Sequence, residues 1–388
     1  MTEKLYYQNA YMTEFDAEVV SVSENNGKIT AVFDKTVFYP EGGGQPCDFG
    51  EIITEDGRVI KVTDVHEKDE LIYHMLSEPV TAGDIIHGRI DWARRFDHMQ
   101  QHSGEHIISG IICSAYSCDN VGFHLGDESV TIDYNAEISY EQAKALEEQA
   151  NRYIWENHAF HSFWPDKETL HELSYRSKKE LEGAVRIAEF PGADICACCG
   201  THVAYSGEIG LIKIASAKKY KGGTRFELYC GKRAYDFLSM NYENNKEVAV
   251  FLSAKENNTP ALVKKQAEEL MHAKFRLAKL EEAGFMKTAE ECRGKGDILL
   301  IREELEADGV RKLADAIGSV CGGRACVFAG SGSSYKYAVI HPDTDISGFI
   351  KDLNRALSGR GGGKCGFAQG SVAASEGEIR AFFSSLSG

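Results

Sequence analysis

Two histidines, His102 and His106, constrain the fold of this chain more than any other feature of its sequence. They can hold one ion together if the segment around them is helical, because residues four apart in an α-helix lie on one face about one turn from each other. Ile107 and Gly110 extend that face, and the apolar spacing from about Trp92 predicts a helix. Ordinary helices also carry such pairs, so further ligands must come from elsewhere in the chain.

A second candidate pair of ligands lies later in the sequence. Cys198 and His202 have the same spacing and flank a glycine-containing turn. Together with the histidine pair they provide three imidazoles and one thiolate, a set that suits tetrahedral Zn²⁺. Cys196 and Cys199 are alternative thiolates, because spacing alone does not separate them from Cys198. The two pairs together predict a zinc site.

A competing interpretation starts from Glu105. Residues 102–106 match the H-x-x-E-H pattern of inverted zinc peptidases, in which this glutamate is the general base. That interpretation needs a carboxylate ligand further along the chain, and it leaves Cys198 and His202 without a role. With four protein ligands, zinc is expected to position substrate more than to generate hydroxide. Glu105 is then either a base for an attacking water or a solvated helix position.

The first 90 residues predict a small β-barrel. Four short runs rich in Val, Ile and aromatic residues alternate with turn signals, and their even spacing is typical of barrels. The predicted strands are residues 15–22, 28–34, 58–65 and 71–75. Among them, Gly42, Gly43 and Gly44 precede Gln45, and such a run lets the backbone approach a ligand closely. A flexible hairpin tip is the alternative.

The overall prediction is an α+β chain with four parts. These are a barrel at residues 1–90, a zinc-containing α+β region at 91–234, a helical hairpin at 235–295 and a small α/β domain at 296–388. The hairpin is expected to be an arm between domains or a dimerisation element. In the last domain, glycines between Arg360 and Lys364 suit an anion such as phosphate, with a mobile surface loop as the alternative.

Charge and composition leave an RNA partner open. The net charge is −16, and residues 1–90 hold 17 acidic against 7 basic side chains. Basic residues concentrate later, and an RNA would have to use such local patches. These residues are Lys213, Lys218, Lys219, Lys221, Arg225, Lys232 and Arg233.

The sequence predicts a cytoplasmic protein with no membrane partner. It contains no apolar run of the roughly 20 residues that span a bilayer, and its first residues lack the pattern of a secretory signal. Its eleven cysteines are odd in number and scattered, which argues against a disulfide framework.

Four motifs, taken together, resemble one family. They are Arg95-x₃-Met99-x₂-His102-x₃-His106, the loop from Phe38 to Gln45, Gly122-Phe123-His124-Leu125-Gly126, and Cys198-x₃-His202. They are similar to the editing domain of alanyl-tRNA synthetase and to its free-standing relatives, the AlaX trans-editing proteins. Residues 223–227 resemble the end of that domain, and residues 359–369 resemble the C-terminal domain of the synthetase. The resemblance covers essentially the whole chain and is that of a long-type AlaX protein.

The resemblance implies hydrolysis of the ester that joins wrongly attached serine, or glycine, to tRNA(Ala), by an enzyme that does not itself charge tRNA. The zinc ligands of the family fall on the two pairs described above. The loop glutamine of the family falls on Gln45, which would help to hold the aminoacyl group or the terminal ribose. The implied contacts to the substrate RNA include the glycine loop, Arg225 and Arg360. The family usually has Cys-Gly-Gly-Thr-His, whereas here Cys199 occupies the second position.

Physical reasoning is consistent with that activity. An alanine-sized pocket cannot exclude serine by size, so errors need a second, hydrolytic site. A site that hydrogen-bonds the serine hydroxyl leaves polar groups unpaired when alanine enters, which spares the correct product. Gln45, Thr201 and Ser103 are candidates to sense that hydroxyl, and His124 is a further candidate near the site. The alternatives are an inverzincin-like peptidase and a non-catalytic RNA-binding protein with structural zinc.

Overall fold

The structure is a computed structural model that describes residues 1–177 and 183–386. The chain divides into two compact units, Met1–Glu247 and Val248–Gly388. Within the described residues, no helix is both long enough and apolar enough to cross a membrane. The division at residues 90, 234 and 295 stays a prediction.

The first unit begins with a closed six-stranded barrel in the order β2-β3-β7-β6-β5-β8. The elements of this part are β1 (Glu3–Lys4), α1 (Leu5–Gln8), β2 (Glu14–Asn25), β3 (Lys28–Phe33), β4 (Lys35–Thr36), β5 (Gly50–Thr54), β6 (Val59–Lys68), β7 (Leu71–Leu76) and β8 (Ile85–Ile90). Side chains alternate along β2, so that Phe15, Ala17 and Val19 enter the core. The predicted barrel and its four strands are confirmed, and β5 and β8 complete it.

A mixed α+β region follows in the same unit. Its elements are α2 (Trp92–Tyr116), β9 (Asn120–Leu125), β10 (Val130–Tyr134), α3 (Tyr140–Trp155), β11 (His161–Phe163), α4 (Lys167–Glu172), β12 (Ile187–Phe190), β13 (Asp194–Ala197), a 3₁₀ turn (Ser206–Ile209), β14 (Ile212–Tyr220), β15 (Gly223–Cys230) and α5 (Gly231–Phe251). One antiparallel sheet has the order β14-β15-β10-β9, and a second has the order β11-β12-β13.

Helix α2 is the central element of this region. Asp91 caps its first turn by accepting from the backbone N–H of Arg94, and the helix ends where Ser117 takes a left-handed conformation with φ 48°. Every residue from Gln101 to Cys113 is buried, polar ones included. The middle of α2 therefore lies inside the unit, where its polar side chains need protein partners or a ligand.

The second unit combines a long helix with a small α/β fold. Its elements are a 3₁₀ turn (Glu256–Asn258), α6 (Thr259–Glu291), β16 (Gly296–Arg302), α7 (Ala307–Gly318), β17 (Gly322–Ser331), β18 (Ser334–Ile340), α8 (Ser347–Ala356), β19 (Arg360–Lys364), β20 (Phe367–Val372) and α9 (Glu376–Ser384). The sheet order is β16-β17-β18-β20-β19, with β16 and β17 parallel. Helices α5 and α6 lie in the segments where the sequence predicted helices, and the last part mixes helices and strands as predicted; the hairpin arrangement of the arm stays a prediction.

The glycine-rich stretch around Arg360 corrects one expectation. The sequence predicted an anion-binding or mobile loop there, but Arg360–Lys364 forms strand β19 at the edge of the sheet. It pairs with β20, for example Gly361 with Gly370. Glycine has low strand propensity, so pairing with β20 and not local preference makes this segment extended.

Candidate metal centre

Helix α2 presents His102 and His106 on one face, with their ring centres 5.1 Å apart. Both side chains are about 2% exposed. The i, i+4 spacing on a regular helix produces this proximity, as the sequence predicted. Two buried imidazoles side by side require either hydrogen-bond partners or a shared ligand.

The turn after β13 brings the second pair to the first. The Cys198 Sγ atom lies 3.4 Å from His102 Nε2 and 3.8 Å from His202 Nε2. One ligand atom from each of these residues and from His106 lies within 4.8 Å of the others. Gly200 is needed in this turn, since a Cβ there would lie 2.2 Å from the His102 ring. The structure therefore joins the two sequence pairs into one cluster.

Cys198 is the cysteine of this cluster. Burial opposes its ionisation, but the imidazoles of His102, His202 and His106 lower the pKa of Cys198 well below its ordinary value. For Cys196 and for Cys199, burial raises the pKa of the thiol. The electrostatics thus favour Cys198 over the two alternatives that spacing left open.

Two of the three imidazoles are oriented by partners on their far side. His102 Nδ1 lies 2.9 Å from Gln45 Oε1, and His106 Nδ1 lies 2.7 Å from Asp194 Oδ2. The carboxylate of Asp194 also receives two hydrogen bonds from Arg176, at 2.6 and 2.8 Å. Such outer partners fix the tautomer and leave Nε2 as the electron-pair donor.

His202 is held differently. Its Nδ1 atom has no hydrogen-bond partner among the described residues, and its ring stacks on Phe160 with 4.6 Å between centres. Burial is the main reason why the pKa of His202 falls to about 3, so this imidazole is neutral. A neutral, oriented imidazole is the form that binds a metal.

The field at His106 also suits a cation. Burial lowers its pKa, but the Cys198 thiolate and the carboxylate of Asp194 raise the pKa of His106 to about 10. The negative charges that favour a proton at this position favour a metal ion equally. Three imidazole nitrogens and one thiolate in this arrangement fit tetrahedral Zn²⁺.

Gln45 and Thr201 lie behind His102 and not on a cavity wall. Gln45 Oε1 faces His102 Nδ1 and also accepts from the Thr201 backbone N–H at 3.1 Å, while its Nε2 donates to Thr201 Oγ1 at 2.9 Å. Both side chains are almost fully buried. The structure thus gives these residues a supporting position, where the sequence predicted contact with substrate.

A cavity of about 440 Å³ opens onto the cluster. Its wall includes His102, Glu105, His106, Cys198 and two glycines of the predicted loop, Gly43 and Gly44. Gly42 pairs with Gln45 through two backbone hydrogen bonds and closes the loop.

The glycine loop packs closely against Phe123 beside the cavity, because Gly44 has no side chain. Gly44 has φ +85°, and a Cβ there would meet the Phe123 ring at 2.5 Å. Phe123 in turn stacks on His102 with 5.3 Å between ring centres. The glycine is therefore required for the close packing of loop, ring and ligand.

Glu105 is buried in the same wall. Its side chain is 3% exposed, and Oε1 accepts from Ser109 Oγ at 2.9 Å and from the Asn120 amide. The expectation that this helix position is solvated is wrong, because α2 is covered on this face. The carboxylate stands on the cavity wall together with His102 and His106.

Two family profiles match the chain. The profile of tRNA synthetases class II (A) matches residues 2–94, which comprise the barrel and the start of α2. The profile of the threonyl and alanyl tRNA synthetase second additional domain matches residues 185–227. The second range contains Cys198 and His202.

Relatives of similar length are editing proteins. The alanyl-tRNA editing protein Aarsd1-B of Xenopus laevis is 30% identical over 385 residues, which cover 94% of this chain and 92% of the relative. The chain belongs to the alanyl-tRNA editing proteins. The alanyl-tRNA editing protein AlaX-L of Pyrococcus horikoshii is 28% identical over 400 residues, covering 98% of this chain and 96% of the relative. The resemblance to AlaX proteins is confirmed.

Other relatives are longer. Alanine–tRNA ligase of Pyrococcus furiosus is 32% identical over 333 residues, and the match covers 81% of this chain but only 36% of the ligase. Among solved structures, the C-Ala domain of Aquifex aeolicus alanyl-tRNA synthetase aligns with 24% of this chain and 91% of that domain, at 21% identity and a TM-score of 0.21.

The remaining predicted site residues lie elsewhere. Arg225, on β15, makes two hydrogen bonds to Asp133 and stacks on Tyr220 at 3.7 Å. Ser103 is buried and accepts from the backbone N–H of Val203. Neither of them lines the cavity, and Arg360 belongs to the second unit.

The predicted basic patch is largely neutralised. Five of its seven members form ion pairs with carboxylates. The pairs are Lys213–Glu147, Lys219–Glu137, Arg225–Asp133, Lys232–Asp236 and Arg233–Asp97. This surface therefore offers an RNA much less free positive charge than the sequence indicated.

Several functional candidates escaped the sequence. Phe123, Arg176 and Arg186 line the cavity, and Asp194 orients His106. Phe123 lies within the motif Gly122–Gly126, next to the predicted candidate His124, which is exposed on β9. Asp194 precedes the cysteines in an alternating strand, but only the folded chain shows that it meets α2.

Proposed function

We propose that this protein hydrolyses misacylated tRNA(Ala), releasing serine or glycine, and that zinc held by His102, His106, Cys198 and His202 is required. The observation that carries the proposal is the convergence of three imidazoles and one thiol, of which His102, His106 and Cys198 lie on the wall of a cavity. A free-standing deacylase of this kind would correct errors that the synthetase cannot avoid.

The chemistry divides between the metal and the chain. Zinc, when bound, would supply Lewis acidity toward the ester carbonyl. Glu105 accepts a proton from the attacking water while the water oxygen bonds to the carbonyl carbon. Glu105 then gives that proton to the ribose oxygen as the ester bond breaks. Ser109 and Asn120 hold one oxygen of Glu105 and so fix the direction of the carboxylate.

Gln45 and Thr201 act in this proposal as positioning residues. The amide of Gln45 ties His102 to the ligand turn, because Oε1 faces His102 and also accepts from Thr201. Loss of the amide would let the His102 ring rotate about its Cβ–Cγ bond. We therefore expect Gln45→Leu to reduce zinc affinity more than it changes the selectivity of deacylation for serine, glycine or alanine.

The peptidase alternative fits this geometry less well. It needs a carboxylate as third ligand to the H-x-x-E-H pair, but Cys198 and His202 occupy the space in front of both imidazoles. The nearby carboxylate, Asp194, faces the opposite nitrogen of His106. The non-catalytic alternative gives Glu105 only a structural role, as the acceptor for Ser109 and Asn120, although the residue belongs to the cavity wall.

The decisive experiment compares deacylation of Ser-tRNA(Ala), Gly-tRNA(Ala) and Ala-tRNA(Ala) by zinc-loaded protein. The proposal expects release of serine or glycine, with alanine released far more slowly. His102→Ala should abolish release and Glu105→Gln should slow it while retaining zinc. A zinc-loaded wild-type protein that leaves all three substrates intact would refute the proposal.

The RNA contacts of the second unit are a separate part of the proposal. Arg360 and Lys364 are exposed at the ends of edge strand β19, and no carboxylate among the described residues pairs with either. They are better placed for phosphates than Arg225, which is bound to Asp133. We expect Arg360→Ala to raise KM for the tRNA and to reduce the salt dependence of binding.

Self-association through α6 is also part of the proposal. Val263, Leu270 and Leu277 are seven residues apart and are 47%, 56% and 58% exposed. Such a repeat supplies one of the two seam positions of a coiled coil, and Ala267 and Lys274 occupy the other. Light scattering should show a dimer that Leu270→Glu with Leu277→Glu dissociates, while Lys264→Glu leaves it intact; a wild-type monomer would exclude this arrangement.

The substrate and the cysteines are consistent with a cytoplasmic site of action. All eleven cysteines are free thiols. Unpaired cysteines in this number are typical of a reducing compartment.

A further inference from the structure

An aromatic and cationic rim adjoins the cavity. Cys199 and Arg186 belong to the cavity wall, and both contact Tyr7 of helix α1. The Arg186 guanidinium lies 5.2 Å from the centre of the Tyr7 ring. Trp164 meets Tyr7 from another side, with ring centres 5.8 Å apart and planes at 78°. Tyr7, Trp164 and Arg186 are called the rim cluster below.

The rim cluster presents ring surface to solvent. Trp164 is 51% exposed and Tyr7 is half-buried. Trp164 belongs to neither of the two hydrophobic cores of the first unit. An indole kept outside the core forgoes the stabilisation that its burial would bring, and exposed aromatic rings of this kind commonly mark binding sites.

Arg186 connects the rim to the ligand turn. Its Nη1 donates to the carbonyl oxygens of Cys198 and Gly200, at 3.0 Å each. These acceptors are neutral, so the contacts fix the guanidinium plane without cancelling its charge. Lys4 adds a second cation 5.9 Å from the Tyr7 ring, although Glu67 pairs with it.

We propose that the rim cluster binds the base of the 3′-terminal nucleotide of the tRNA. This inference rests on the proposed function, because an ester held in the cavity carries its own ribose and base. The base must therefore lie at the mouth of the cavity. Unpaired RNA bases are held by stacking on aromatic rings, which Trp164 and Tyr7 offer, while Arg186, 6% exposed, lies against the Tyr7 ring and adds positive charge beside it.

The first test is steady-state deacylation by Trp164→Ala. Loss of a stacking ring should raise KM for Ser-tRNA(Ala) by about 5- to 100-fold, with kcat changed by less than about 2-fold. Trp164→Phe should restore most of the loss. Trp155→Ala is the matched control, because Trp155 on α3 is 66% exposed and lies outside the rim cluster. A Trp164→Ala enzyme that behaves like Trp155→Ala would overturn the proposal.

The second test does not depend on catalysis. The probe is an uncharged RNA minihelix of the acceptor arm, compared with the same minihelix lacking the 3′-terminal base. Wild-type protein should bind the complete minihelix about 5-fold or more tightly, and Trp164→Ala should bind both equally. If Trp164→Ala keeps the preference, the base lies elsewhere and the proposal is wrong.

The two tests separate this proposal from the proposed function. A wild-type protein that releases no amino acid but prefers the complete minihelix would refute the deacylase and retain the rim as an RNA-end site. A wild-type protein that releases serine and shows no loss in Trp164→Ala would retain the deacylase and refute the rim. Equal melting temperatures and zinc contents exclude misfolding as the cause.

Discussion

The first unit buries polar side chains in two regions, and these regions differ in where the side chains point. Arg95 is fully buried, and its guanidinium donates to Asp48 and to the carbonyl oxygens of Ala10 and Val37. Around Cys198, by contrast, imidazole nitrogens converge on one point. The first arrangement is complete by itself, whereas the second leaves electron pairs directed at a common centre. Both clusters are largely buried, so what distinguishes the candidate functional one is that its donor atoms face a common point and not one another.

The largest expected effect is on the converging cluster. Cys198→Ala removes the thiolate and should abolish zinc binding, lowering serine release by more than the roughly 100-fold that loss of an outer partner can cause. Zinc content by atomic absorption and the deacylation rate measure it. Cys196→Ala and Cys199→Ala should keep zinc. If Cys199→Ala loses zinc instead, the ligand register is shifted by one residue.

The second effect concerns the buried pair of Arg95 and Asp48. Arg95→Met leaves the Asp48 carboxylate buried without its partner and should lower the free energy of unfolding by about 3–5 kcal/mol. Urea denaturation measures it. Arg152→Met, which removes an exposed pair with Glu148, should change stability by less than about 1 kcal/mol. Similar losses in both variants would show that burial of the Arg95–Asp48 pair does not make its loss more costly than that of an exposed pair.

A smaller effect on zinc affinity is expected at Asp194, which contacts the ligand candidate His106. Asp194→Asn keeps a hydrogen-bond acceptor near His106 but removes the negative charge, and zinc affinity should fall by about 10- to 100-fold. Competition with a chromogenic chelator measures the affinity. Asp133→Asn, which affects only the pair with Arg225 on the sheet, should leave affinity unchanged.

The smallest effect is a pH dependence in the barrel. His74 is fully buried between Phe33 and Thr36, and burial lowers its pKa to about 3. Below pH 6.5, His74 binds a proton in the unfolded chain but stays neutral in the folded chain. The free energy of unfolding therefore falls as the pH drops toward 3, by up to about 1.4 kcal/mol per pH unit. Denaturation of His74→Gln between pH 7 and 5 should show a shallower slope than wild type. The exposed His171→Gln variant should retain the wild-type slope.

The sequence predicted that His102, His106, Cys198 and His202 come together, and the structure places them in one cluster. The first pair needs only a regular helix, whereas the second pair lies on an irregular turn after β13. Strand β8 was missed because Gly88 interrupts its apolar run; the folded barrel uses this glycine to admit the ring of Phe15, which a Cβ would meet at 2.2 Å. Such a reason exists only after the strands have closed.

What escaped prediction depends on contacts between distant segments. Asp194 became a partner of His106 across 88 residues, and Gln45 a partner of His102 across 57. The sequence left Glu105 as either a base or a solvated helix position, yet Ser109, Asn120 and Tyr134 form a buried network around it. Burial of a polar helix face is a property of the whole unit and leaves no apolar pattern in the sequence.

The hydrogen bonds of Gln45 and Asp48 have a consequence for how this molecule can change in evolution. Both residues belong to the barrel, and they hold His102 and Arg95 of α2. A recombinant that acquired residues 91–234 without the native barrel would keep His102, His106, Cys198 and His202, but it would lose the support of His102 and the only carboxylate that pairs with Arg95 among the described residues. We therefore expect the barrel and the helix to be inherited together, and substitutions at Gln45 or Asp48 to be accompanied by substitutions at the residues of α2 that they contact.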